Sequence, residues 1–172
     1  LSEIFRYPPT IFPHRPTIEG YSKLFRQFPF GRNMLNSAYT AAAHTVLAVF
    51  FCTLGGFGFA KYSFKGDKVL LAVLLGSMFI PFEVTMIPLY VVFRNIGWID
   101  SHWGLIIPGA ANAFGIFFMR QNIATIPDEL MDAARVDGCS EFRIFFNMIL
   151  PIAKPAMGSL SIIFFMNSWN NF

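Results

Sequence analysis

The chain has 172 residues, 55% hydrophobic, 17% aromatic and only 13% charged, with a formal net charge of +3 and a mean hydropathy of +0.52. Soluble domains carry roughly 25% charged residues, so 22 Phe against 10 Asp and Glu excludes a disordered chain, a disulfide scaffold and a conventional cytosolic enzyme. The Lys and Arg form no dense block, so nucleic acid is not an expected partner.

Residues 1–32 hold Pro8, Pro9, Pro13, Pro16 and Pro29. They are expected to form an extended external loop with one short amphipathic helix near Ile18 to Phe28. A helix that crosses a bilayer takes about 20 mostly apolar residues. Four runs fit, over about 33–60, 69–93, 103–122 and 150–172. Backbone groups in lipid must pair within their own segment, and no alternation of period two supports a barrel. The expected fold is therefore all-α, a polytopic integral membrane helix bundle whose core is residues 33–172. Gly55, Gly56 and Gly58 lie in the first run and are read as close helix packing. His44, in the same run, is read as an interhelical hydrogen-bonder. Cys52 and Cys139 belong to no CxxC pattern and are read as small buried hydrophobes. The first residue is Leu1 and the last, Phe172, falls inside an apolar run, so a piece of a longer protein is expected.

The linkers set the expected sidedness. Lys61, Lys65 and Lys68 sit between the first two runs, and Arg120, Arg135, Arg143 and Lys154 lie between or near the ends of the third and fourth. The positive-inside bias places 61–68 and 123–149 in the cytoplasm and 94–102 outside. Residues 1–32 then fall outside despite Arg6, Arg15, Lys23, Arg26 and Arg32; long external segments follow the rule less closely. Trp98 and Trp103 flank the outer linker, where each indole can anchor at the interface.

The loop at about 123–149 is too polar to cross lipid. Thr125 and Asp128 fit a loose helix start, with Pro127 tolerated in the first turn, and the helix should run to about Val136. Ile126, Leu130 and Ala134 are expected to share one face. Asp128, Glu129 and Asp132 crowd the N-terminal half and Arg135 lies near the end, which suits the helix dipole. Asp137-Gly138 is a turn signal, with Gly138 in the left-handed position. Ser140 can cap a second helix leading to Leu150-Pro151. A short rigid rod with a small centre at Ala133-Ala134 has the shape of a docking element; an interfacial helix lying on headgroups fits the composition equally well.

The run DAARVDG (132–138), followed by Ile149-Leu150-Pro151, resembles the EAA loop of ABC importer membrane subunits. Asp132 stands where that family usually has Glu, and one residue of its I-x-L-P pattern is missing here. The proline-rich first segment, Arg32-Asn33, Asn36-Ser37, FAKYSFKG (59–66), IPFEVTMIPLYVVFRNIGWIDSHWGLIIP (80–108) and SWNNF (168–172) are similar to the carbohydrate-importer permeases of the maltose type. The resemblance implies a type I ABC importer transmembrane domain, with about four of about six spans present and the first and most of the last two missing. It implies a multi-pass protein of a bacterial or archaeal cytoplasmic membrane that pairs with a second homologous permease subunit. It further implies cytoplasmic ATP-binding subunits and an extracytoplasmic solute-binding protein as partners. The docking candidates are Asp128, Glu129, Leu130, Met131, Asp132, Ala133, Ala134, Arg135, Asp137 and Gly138. No cofactor is expected on this chain, which has no GxxxxGK[ST] loop; ATP and Mg would sit on the ATPase subunits.

Ionisable and polar groups at membrane depth are expensive and usually face protein or water. Glu83, between Pro81 and Pro88, is a candidate gate or pathway residue, or else it caps a helix break or pairs with a partner subunit. Asn112, Asn167, Trp169 and Asn170 offer the amides and stacking ring that a neutral sugar needs, although the same groups also join helices. The His residues have no acid at helical spacing, so no metal site is expected. An ion-coupled secondary transporter using Glu83 and His44 would leave the polar rod unexplained. A permease for a non-sugar solute such as glycerol phosphate is a further alternative. An intramembrane enzyme finds no support.

Overall fold

The computed structural model describes Tyr7 and residues 17–170, and the chain divides into two compact units, 1–36 and 37–172. Most of the expected proline-rich external loop lies outside the described residues, as do Asn171 and Phe172. In the first unit, α1 (Glu19–Gln27) is the expected amphipathic helix. Glu19 opens it and Arg26 closes it, matching the helix dipole. Phe25 packs edge-on against Phe30 at 5.1 Å.

The other helices are α2 (Phe30–Lys61), α3 (Asp67–Ser77), α4 (Phe82–Ile96), α5 (His102–Ile106), α6 (Ala113–Ala124), α7 (Asp128–Val136), α8 (Glu141–Ile144) and α9 (Leu150–Trp169). The described residues hold no strand. Two stretches are long and apolar enough to cross a membrane alone, Phe30–Lys61 and Glu141–Trp169. At 32 residues, α2 has more than the ~20 residues that crossing the hydrocarbon layer takes.

The second expected run is not one straight span. α3 and α4 meet at a bend of 100°, and the cause is Pro81. It disfavours helical geometry in the residue before it and offers no N–H of its own. The preceding turn tightens instead, with Phe79 N–H donating to the Gly76 carbonyl and Ile80 N–H to Ser77, both at 3.2 Å. Pro88, inside α4, does not end the helix.

The third expected run is also broken, between α5 and α6, where Pro108 removes a donor. The side chain of Asn112 caps the restart by accepting from the Gly115 N–H at 2.7 Å. Helical pairing abandons the Ile106 carbonyl because the Ala110 N–H turns to Ile107. His44 of α2 supplies the missing donor, its Nδ1 lying 3.1 Å from that carbonyl. His44 is thus the interhelical hydrogen-bonder expected from sequence, and its role is to satisfy a backbone group that lipid could not.

The core joins α2, α6, α7, the α8–α9 junction and α9 through Ala48, Cys52, Phe57, Met119, Ile123, Met131, Phe145, Ile149, Leu160 and Phe164. Close approach depends on missing side chains. A Cβ on Gly56 would stand 2.7 Å from Met119 Cβ and the Arg120 nitrogen, and one on Gly115 would stand 2.6 Å from Cys52 Sγ. A Cβ on Gly55 would stand 3.2 Å from Ile116, but nothing lies within 4 Å of a Cβ on Gly58, so the packing expected of three glycines holds for two. Cys52 is buried and Cys139 only half-buried.

α8 leads on to Leu150-Pro151, as its sequence suggests, and continues beyond it. It runs through a π-turn, Phe145–Ile149, into α9, and the Leu150 N–H reaches back five residues to the Phe145 carbonyl. Pro151 explains the wide turn: it has no N–H for the Asn147 carbonyl and its ring would crowd that oxygen. α3 and α4 bury no residue at all, and Phe79 is 87% exposed. Apolar surface on that scale needs a covering of lipid or protein.

Candidate functional site

The polar segment 125–144 folds as two short helices around a sharp turn. Thr125 does not cap α7. Its hydroxyl donates to the Asn122 carbonyl at 2.7 Å, and Pro127 stands at the N-cap with no side-chain bond. Asp128 is turned toward α2 instead, where Lys61 Nζ meets its carboxylate at 2.5 Å and also donates to the Ile126 carbonyl. The Lys61 side chain is 3% exposed and that of Asp128 79%. The ammonium is therefore held in the protein by two oxygens, one of them anionic, as a buried cation requires.

α7 ends as its sequence predicts. Gly138 has φ +78°, a conformation in which only glycine escapes a Cβ clash. The Gly138 N–H donates to Arg135 and the Cys139 N–H to Ala134, at 3.0 and 2.9 Å, which completes a Schellman stop. Ser140 then caps α8 by accepting from the Arg143 N–H at 3.4 Å.

Arg135 straps the two helices together. Its Nη1 meets Asp132 at 2.8 Å, while Nε and Nη2 fork onto Glu141 at 2.8 and 3.3 Å. The Tyr62 hydroxyl donates to the same Glu141 carboxylate. Burial, and then the Glu141 hydrogen bond, push the Tyr62 phenol up to about 12. The Glu141 contact, followed by that of Asp132, holds the Arg135 guanidinium well above its ordinary value.

The buried face of α7 differs from the expected one. Met131 and Ala134 point into the core at 1% and 9% exposure, and Ile126 is buried beside them, whereas Leu130 is exposed. α7 begins only at Asp128, so Ile126 lies off the helix and cannot set its phase. Met131 and Ala134, three apart, set it instead. The outer face carries Glu129, Leu130, Ala133, Val136 and Asp137, and Val136 is 88% exposed. Of the two small residues in the centre, Ala133 faces out and Ala134 faces in.

The five pathway candidates fall at the start of α4 (Glu83), at the start of α6 (Asn112) and at the end of α9 (Asn167, Trp169 and Asn170). Asn112 lines an apolar groove of about 550 Å³ with Phe82, Thr85, Pro88, Leu89, Val92, Pro108 and Gly109. Its Oδ1 is used as a helix cap. Glu83 is exposed in the first turn of α4 and makes no hydrogen bond or ion pair among the described residues. Asn167 is exposed, Trp169 is half-buried and stacked on Phe165 at 5.9 Å, and Asn170 is the exposed C-cap of α9. Lys61, Tyr62 and Glu141 join the α7 site although no sequence motif marks them as part of it. The FAKYSFKG run contains the first two, and its place at the end of a long apolar helix was the available signal.

A family model described as "Binding-protein-dependent transport system inner membrane component" matches residues 48–172. The chain is 42% identical over 137 residues to the arabinooligosaccharides transport system permease protein AraQ of Bacillus subtilis (strain 168), covering 80% of this chain and 49% of AraQ. It is 33% identical over 172 residues to the alpha-glucoside transport system permease protein AglG of Rhizobium meliloti (strain 1021), covering 92% and 44%. It is 30% identical over 177 residues to the sn-glycerol-3-phosphate transport system permease protein UgpE of Yersinia pestis bv. Antiqua (strain Antiqua), covering 99% and 63%. The chain thus spans roughly half the length of these relatives. A bundle of apolar helices interrupted by one polar helix–turn–helix, together with a family match over residues 48–172, makes this chain a member of the inner membrane components of binding-protein-dependent transport systems.

Proposed function

We propose that this chain forms the core of a permease subunit in an ATP-driven importer, and that α7 is its coupling helix. The observation that carries the proposal is the two-sided character of α7. One side is fixed to the bundle by Met131, Ala134, Asp128 and Arg135; the other presents Leu130, Ala133 and Val136, all exposed among the described residues. A rod capped at its end and bonded along one side moves as a unit with what it is bonded to. A separate ATPase subunit seated on the outer side would then drive the spans without this chain binding nucleotide. Residues 61–68 and 123–149 would be cytoplasmic, 1–32 and 94–102 extracytoplasmic. A second permease subunit would cover α3 and α4, and a solute-binding protein would deliver from outside.

The solute we propose is hydroxyl-rich, a sugar or oligosaccharide. Support comes from the relatives whose names specify arabinooligosaccharides and alpha-glucosides; glycerol phosphate is a second reading, favoured by UgpE. Asn112, on its groove, would offer its amide N–H to a solute hydroxyl. Glu83, beside the bend at Pro81, would act at a gate, with Asn167, Trp169 and Asn170 further along the path.

Crosslinking tests the coupling role. A cysteine at Ala133 should crosslink to an ATPase subunit in the assembled transporter, and uptake in vesicles should require ATP. Labelling of that cysteine from the extracytoplasmic side, or uptake driven by a proton gradient without ATP, would overturn the proposal.

A further inference from the structure

The C-terminal end of α2 holds the 126–141 segment at two places. Lys61 takes the Ile126 carbonyl and the Asp128 carboxylate, where α7 begins. Tyr62 takes Glu141, beyond the turn that ends α7, and Arg135 forks the same carboxylate back onto α7. The end of α2 is also tied to α6, since Arg120 Nε donates to the Phe59 carbonyl at 3.2 Å.

A rod held at one point pivots about it, while a rod held ahead of its first residue and behind its last does not. The apolar contacts beneath α7 cannot supply this constraint alone. Burial of Met131 and Ala134 is favourable in any register that keeps them dry, because the hydrophobic effect has no direction. Charge-assisted hydrogen bonds do have direction and a fixed length. They are the part of the contact that resists sliding.

From this geometry we infer that Lys61 and Tyr62 are positioning residues that clasp both ends of α7 and carry its movement into α2. The inference rests on the coupling role proposed for α7.

The test uses the full-length permease in its assembled transporter, reconstituted in vesicles, with the Ala133 crosslink to the ATPase scored in every variant. Lys61→Met should leave assembly, crosslink and ATP hydrolysis in place and lower uptake per ATP hydrolysed by about tenfold, within the usual range of coupling between sites. Tyr62→Phe, which removes one hydroxyl, should lower it less, and the double variant more. Lys61→Arg, which keeps charge and donors, should restore most of it. Unchanged uptake per ATP in the double variant, with the crosslink intact, would overturn the clasp and leave α7 docking untouched. Loss of assembly together with uptake would assign Lys61 to folding and equally overturn it. Absence of the crosslink in a transporter otherwise unaltered would overturn the coupling role itself, and the clasp with it.

Discussion

Lys61 and Asp128 stand 67 positions apart in sequence and 2.5 Å apart in the folded chain. The contact joins the end of a long apolar helix to the start of a polar one, so it fixes where the polar helix sits on the bundle. Its two partners differ greatly in exposure, 3% against 79%. Removing the carboxylate should therefore harm more than removing an ordinary surface ion pair, which contributes only about 0–1 kcal/mol.

Gly138 should tolerate substitution poorly even though nothing crowds it. With φ at +78° and no atom within 4 Å of a Cβ, the cost is conformational alone, about 1–2 kcal/mol for an L residue forced into this region. Gly138→Val should fray the stop of α7 and reduce uptake per ATP hydrolysed, while Gly138→Asn should lie close to the parent. Equal coupling in the two variants would show that the turn is not needed.

Glycines within the spans should split into two classes. A Cβ on Gly115 would meet Cys52 Sγ at 2.6 Å and Phe164 Cζ at 2.7 Å; Gly115→Ala should lower stability by about 1–3 kcal/mol, as overpacking does. Gly58 has open space around it, and Gly58→Ala should be neutral or stabilising through its better helix propensity. Thermal unfolding of the two variants in detergent checks the contrast.

His44→Leu should destabilise by about 1–3 kcal/mol, the cost of leaving a buried acceptor unmade, because it orphans the Ile106 carbonyl that Nδ1 serves at 3.1 Å. A proton-relay role predicts a different outcome, loss of transport with stability retained. Measuring both on one variant separates the two.

Tyr62 gives a pH signature. Its phenol is raised from 10.0 to about 12, by burial first and by Glu141 second. A raised folded value means that the stabilising contribution is complete below pH 10 and is lost as pH climbs toward 12. A spectrophotometric titration should therefore show one late-ionising phenol that disappears in Tyr62→Phe. A titration unchanged by that substitution would deny the Tyr62–Glu141 bond.

Much of this was legible in the sequence because the signals are local. Apolar run length gave α2 and α9, the Asp137-Gly138 pair gave the stop of α7, and Ser140 gave the cap of α8. The bend in the second span was legible at Pro81, which stands beside Glu83 and must disturb a helix, but the break in the third was not, since hydropathy averages over Pro108 while the backbone cannot. The phase of α7 is not legible from apolar spacing because Pro127 delays the start of the helix to Asp128, which leaves Ile126 outside it. Lys61, Tyr62 and Glu141 were missed as a group because their meeting is a long-range consequence of how α2 and α6 pack, which no spacing rule encodes.

The corrected phase of α7 yields the sharpest prediction. Single cysteines at Leu130, Ala133 and Val136 should react with a membrane-impermeant thiol reagent in the permease alone, since all three residues are exposed. Cysteines at Met131 and Ala134, 1% and 9% exposed, should react slowly. Assembly with the ATPase subunit should then protect the first group and leave the second unchanged. The expected contrast follows from geometry, because residues three apart share a helix face and residues one apart do not. Fast labelling at Ala134 with protection at Leu130 and Ala134 together would restore the face expected from sequence and displace the one formed by Leu130, Ala133 and Val136. Labelling without any protection would remove α7 from the ATPase interface.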